Sequence, residues 1–202
     1  MLEKEVYNSI SSIKGNVRGA VFQTDAEYIK LMYGLEKLDQ LKNTLKKLKS
    51  PIDYENMHAM AWYPLSQRVL AFRVIQDIFN WQDEDFKKMG DAAPKYSFIV
   101  KLIMKFFIAA KIAIERAPQY WSRHYDIGAL KVAEFNEATK HAVIQVHDFD
   151  VMPIYCRYLE GYFGRLFMFT LPKHTIKVIE TKCMHRGDPF HEYDIAWVAE
   201  NN

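Results

Sequence analysis

The sequence predicts an α+β domain: a helical N-terminal half packed on a four-stranded antiparallel sheet. Three observations predict it. Apolar residues recur at helical spacing through most of the first 128 residues. After Gly128 the period drops to two. The alternating segments then come in two pairs around a late apolar helix, giving the order strand, strand, helix, strand, strand. With 202 residues, half of them apolar, the chain suffices for one domain over 1–202 with a sizeable core.

The elements follow in order. Residues 1–8 read as a short strand or frayed arm, and 13–22, with Gly15 and Gly19, as an extended lead-in. Thr24, with Glu27 three residues on, reads as a capping box opening a helix to about Gly34. A second helix covers 35–48 and ends at Ser50-Pro51. Pro64 sits at a helix start, and 65–79 carries helical spacing. Asp83 opens a short helix ending at Gly90, and Pro94 or Lys95 opens a long apolar helix to about Ala117. Strands are predicted over 131–137 and 142–147, a helix over 154–171 between Pro153 and Pro172, and strands over 175–183 and 190–198.

Composition excludes several functions. The net charge of +2 demands neither nucleic acid nor an anionic membrane. The basic run at Lys42, Lys46, Lys47 and Lys49 alternates with Leu41, Leu45 and Leu48, as on the wet side of an amphipathic helix. Lys101, Lys105 and Lys111 fall on one arc of the apolar stretch 98–114, which makes it a core helix rather than a membrane span. Two cysteines and a charged N-terminus without a secretory signal point to a cytoplasmic protein with reduced thiols. No nucleophile elbow, phosphate loop or His-Glu-x-x-His motif occurs, so the chain is not expected to be an ordinary enzyme; unfamiliar chemistry stays open.

Residues 180–197 carry the strongest local signal. They read as a β-hairpin turning at Arg186-Gly187-Asp188-Pro189. Strict alternation puts Val178 and Glu180 on one face and Ile179, Thr181 and Cys183 on the other. A turn near Gly187 brings Cys183 almost opposite His191, where two metal ligands could meet. The alternative is that Cys156 and Cys183 are small buried apolar residues and His191 a surface strand residue. His141 and His147 share a strand face and read as solvated strand ends.

The aromatic content of 14% clusters at Trp62 and Tyr63, Phe106 and Phe107, Tyr120 and Trp121, and Tyr155, Tyr158, Tyr162 and Phe163. If these elements converge, Trp62, Tyr63, Phe107, Tyr120, Trp121, Tyr158 and Tyr162 could line a pocket for a hydrophobic small molecule; a plain aromatic core is the alternative.

Several motifs together carry a family resemblance. They are Gly19-x-x-Phe22, Tyr63-Pro64-Leu65, Ile114-Glu-Arg-Ala-Pro118 before Gly128, Glu160-Gly161-Tyr162, and Glu180-Thr-Lys-Cys183 with Gly187-Asp-Pro189. Over about 19–197 the chain resembles the 4-vinyl-reductase domain superfamily of small-molecule-binding modules, in particular a myxobacterial paralogous family of unknown function. More distant likenesses are vesicle-tethering-particle subunits and haem nitric-oxide-binding sensors. Aromatic-sensing members hold zinc with one Glu and three Cys. The resemblance maps two of these onto Cys156 and Cys183 and puts His191 where the last Cys falls; Glu134 is the carboxylate candidate. Because His replaces a Cys and the carboxylate assignment is loose, the expectation leans to thiols that pack without metal. Haem is not expected, because no His lies between His58 and His124 to serve as the proximal ligand, and Tyr120-Trp-Ser-Arg123 only loosely matches the sensors' signature. The resemblance implies a non-enzymatic ligand-binding or sensory homodimer passing its signal to a separate partner. A dimeric scaffold and an auxiliary protein of tetrapyrrole metabolism are the alternatives.

Overall fold

The structure is a computed structural model and describes residues 4–97, 110–171 and 173–199. The element order is α1 (Lys4–Ser11), β1 (Asn16–Arg18), α2 (Gly19–Tyr33), α3 (Leu35–Lys47), β2 (Trp62–Pro64), α4 (Leu65–Phe79), α5 (Asp83–Tyr96), α6 (Ala110–His124), β3 (Ala129–Asn136), β4 (His141–His147), α7 (Pro153–Thr170), β5 (His174–Lys182) and β6 (His191–Ala199). The last four strands form one antiparallel sheet in the order β3-β4-β6-β5. The predicted α+β architecture is therefore present. A second, two-stranded ribbon joins β1 to β2.

The helical half departs from expectation in specific places. Residues 4–11 are helical rather than extended. Only three residues of the lead-in are strand, and α2 begins at Gly19. Thr24 is no cap: it sits one turn inside α2, and its hydroxyl donates to the Ala20 carbonyl at 2.8 Å. Gly90 does not end α5, because a helix–helix contact uses it. A Cβ there would stand 1.9 Å from the Tyr158 carbonyl oxygen, and one at Gly161 would stand 1.9 Å from that of Lys87. The two glycines let α5 and α7 approach backbone to backbone, so a residue that reads as a stop is a packing surface. Pro94 lies inside α5. Residues 98–109, including Phe107, and the predicted stop at Pro172 lie outside the described residues.

The sheet half follows the prediction to within about two residues at each end. On β4, Ala142, Ile144 and Val146 are buried while His141, Gln145 and His147 lie outward; on β6, Tyr193, Ile195 and Trp197 point in. α7 packs on this inner face and on α5, and is the centre of the molecule. Its Arg165 forks onto Asp91 of α5 at 3.0 and 2.8 Å. No helix among the described residues is long and apolar enough to cross a membrane.

Candidate functional site

Two features converge on α7. At its N-terminal end, Cys156 faces the β5–β6 hairpin. One ligand atom each from Cys156, Glu180, Cys183 and His191 lies within 4.8 Å of the other three, and all four residues are buried. The Cys156 and Cys183 sulfurs are 3.6 Å apart, Cys156 Sγ is 3.5 Å from His191 Nδ1, and Nδ1 is 3.1 Å from Glu180 Oε1.

A β-bulge makes this possible. Glu180 pairs with Tyr193 and Lys182 with Glu192, so the register slips by one between them. The slip turns Cys183 onto the face that Glu180 already occupies, overriding the alternation that separates the two. The chain then makes a single 3₁₀ turn over Met184–Arg186, and Gly187 takes φ 94°, which favours glycine. The Asp188 carboxylate accepts the Cys183 amide at 2.8 Å and fixes the turn.

Glu134 is not part of the cluster. It points to the opposite, outer face of the sheet, where its Oε1 is 3.3 Å from His141 Nδ1. β3 carries its own bulge between Val132 and Glu134. The carboxylate comes instead from Glu180, whose burial on a strand between Val178 and Cys183 is the signal that identifies it.

Surrounding groups orient the cluster. His191 Nε2 donates to the Phe149 carbonyl at 3.2 Å, which fixes the ring with Nδ1 facing Glu180 and Cys156. Arg157 holds Glu180 Oε2 at 2.6 Å and Glu160 Oε1 at 2.8 Å, and Glu160 also accepts the Glu180 amide at 2.9 Å. Among the described residues the buried Tyr193 hydroxyl has no hydrogen-bond partner, and burial pushes its phenol up. Burial pushes the Cys156 thiol up, and the Glu180 charge pushes it further. Burial also pushes the Glu180 carboxyl up, but hydrogen bonds from His191 and Cys156 and the Arg157 charge outweigh it, leaving the group below its ordinary value.

The donor set fits zinc. Tetrahedral bonds of about 2.0–2.3 Å put ligand atoms roughly 3.3–3.8 Å apart; the two Cys156 sulfur contacts fall in that range, and the four atoms as a set lie within 4.8 Å. Two thiolates and a carboxylate would leave the filled site with one net negative charge, opposite Arg157. A groove lined by Arg73, Asp83, His185 and Arg186 reaches Cys156, Glu180 and Cys183 and gives an approach from solvent.

Farther along α7 lies a cavity of about 130 Å³. Tyr120, Trp121, Tyr158 and Tyr162 line it. Trp62 and Tyr63 do not. The β1–β2 ribbon holds them elsewhere: Arg18 stacks 3.6 Å from the Trp62 ring, and the Tyr63 hydroxyl accepts the His58 amide at 3.0 Å. Phe163, of the same aromatic cluster, lines the cavity too; Tyr125, Leu166 and Phe167 do not stand out in the sequence, although the last two continue the helical spacing of Tyr162 and Phe163. The cavity is about the size of one known to admit benzene, roughly 150 Å³. Its described wall offers one imidazole, His124, whose Nδ1 contacts the Tyr120 carbonyl at 2.9 Å. A porphyrin is larger than this space, so haem would require the described walls to move apart.

No protein-family model matches the sequence, and no curated protein matches it. Solved structures do. An H-NOX protein from S. oneidensis in the Fe(II)NO ligation state is 15% identical, with a TM-score of 0.63 over 90% of this chain and 99% of its own. An Fe(II) unliganded H-NOX protein from K. algicida is 12% identical, with a TM-score of 0.63 over 92% and 98%. An oxygen-binding H-NOX domain related to soluble guanylate cyclases is 12% identical, with a TM-score of 0.65 over 91% and 95%. At such identities the likeness shows a shared fold, that of the H-NOX domains.

Proposed function

We propose that the chain is a non-enzymatic sensory module that binds a compact hydrophobic molecule in the α7 cavity and holds a structural zinc ion at Cys156, Glu180, Cys183 and His191. The observation that carries the reading is the position of α7, whose first turn supplies a ligand to the cluster and whose later turns wall the cavity. Zinc would tie α7 to the β5–β6 hairpin, so a shift of α7 on ligand binding reaches the hairpin and any partner docked there. The H-NOX likeness supports a ligand-binding domain, and the motif resemblance to 4-vinyl-reductase domains supports the same role with zinc in place of haem.

A cavity among the aromatics favours this reading over a dimeric scaffold with a filled core, and nothing on the described walls favours tetrapyrrole chemistry. A homodimer belongs to the proposal. Leu31, Met32, Tyr33 and Leu35 leave an exposed apolar corner between α2 and α3. A monomer mass by light scattering at high micromolar concentration removes the dimer alone. The functional reading itself is tested by a native mass spectrum with metal analysis. It expects one zinc per chain and a retained apolar molecule, or uptake of one from a panel of small aromatics. Haem in the purified protein, or a cavity that takes none of the panel, overturns it.

A further inference from the structure

The cavity is apolar along most of its wall, with Ile114, Leu130, Ile144, Leu159 and Leu166 among the lining residues. One end is different. There Arg68 is fully buried against Asp25, with Nε to Oδ2 at 2.7 Å and Nη2 to Oδ1 at 3.0 Å. Burial pushes the Asp25 carboxyl up, and the charge and hydrogen bonds of the forked Arg68 guanidinium oppose that shift. The Arg68 guanidinium lies over the Phe72 and Tyr158 rings at 4.7 Å.

The third arm of Arg68 decides the chemistry. Nη1 donates to the Tyr125 hydroxyl oxygen at 2.7 Å. A guanidinium can only donate, so the Tyr125 oxygen is the acceptor and its own proton must point elsewhere. Among the described residues the Tyr125 hydroxyl has no second partner. The nearby Tyr155 hydroxyl feels both Arg68 and Tyr125 yet is itself unpartnered, so it does not take this proton. Burial raises the Tyr125 phenol above its ordinary value, so the proton is retained at neutral pH. Tyr125 lines the cavity, stacked 4.7 Å from Trp121. A hydroxyl that accepts from a cation is a stronger donor.

We propose that the Asp25–Arg68–Tyr125 relay makes the cavity selective for a compact apolar molecule carrying a hydrogen-bond acceptor, such as a ketone carbonyl, over a hydrocarbon of the same shape. This rests on the cavity being the ligand site.

The test compares acetophenone with its hydrocarbon isostere cumene on the full chain, in wild type and in Tyr125→Phe. Wild type is expected to prefer the ketone by about tenfold, one hydrogen bond's worth, and the variant to bind both alike. The carbonyl stretch of the bound ketone gives a second readout in wild type alone: it falls below its value in hydrocarbon solvent if Tyr125 donates. Equal binding of the two by wild type, a preference that survives in Tyr125→Phe, or an unshifted stretch overturns the inference and leaves the cavity reading standing. Failure of both molecules to bind overturns both.

Discussion

Two His–carboxylate clusters lie on opposite faces of the same four-stranded sheet, and only one is built like a metal centre. On the outer face His141 bridges Asp194 at 2.7 Å and Glu134 at 3.3 Å, with both carboxylates largely in water. On the inner face His191 meets Glu180, Cys156 and Cys183 with all four residues buried. Outside, both imidazole nitrogens are taken by carboxylates, so neither is left to coordinate. Inside, one nitrogen is tied to a backbone carbonyl and the other faces three soft or anionic ligands. The pairing of a His with a carboxylate does not separate the clusters. The parity of the strand does, and on β5 a bulge sets the parity.

The largest expected effect contrasts the two histidines. His191→Ala should cost about 3 kcal/mol or more, because it opens a buried space and removes the His191 contact to Glu180 Oε1. His141→Ala should cost about 1 kcal/mol or less, as for exposed pairs. Denaturant unfolding of both variants measures the gap, and equal costs would erase the distinction. Gly161→Ala comes next. With the Lys87 carbonyl 1.9 Å from the added Cβ, α7 must move off α5. A loss of roughly 2–3 kcal/mol is expected by analogy with overpacked cores. A neutral result would mean that the helix seating is wrong, and with it the placement of Cys156.

The smallest effect is a pH dependence of the outer cluster. Hydrogen bonds to Asp194 and then Glu134 raise the His141 pKa above its ordinary value. A raised folded-state pKa means the contribution is fully present below the unfolded pKa, near 6.5, and is lost as pH rises through the folded one. An NMR titration of His141 should therefore show a midpoint above that of a free histidine, moving down in Asp194→Asn. A midpoint at or below the free value contradicts the assignment.

Much of the sheet and little of the cluster's carboxylate could be read from the sequence. Alternation is a local property, so β3 to β6 and the facing of Tyr158 and Tyr162 emerged from pattern alone. The hairpin turn pairs Cys183 with His191, a family resemblance adds Cys156, and the structure brings the three together. Glu180 was missed because a bulge has no sequence signature that outweighs strict alternation. Gly90 was misread as a stop because the Tyr158 backbone it receives lies 68 residues away, beyond any local rule. Trp62 and Tyr63 were misassigned for a similar reason: aromatic clustering says nothing of which side of the molecule a two-stranded ribbon will hold.

Zinc stoichiometry in wild type, Cys183→Ser and Glu134→Gln tests the central claim most directly. The account predicts one zinc per chain in wild type and in Glu134→Gln, and loss of zinc with lowered stability in Cys183→Ser, with protons released on metal uptake because burial holds the Cys156 thiol protonated in its absence. Metal-free wild-type protein whose stability is unchanged by added zinc or by chelator, or zinc lost in Glu134→Gln but kept in Cys183→Ser, would contradict it.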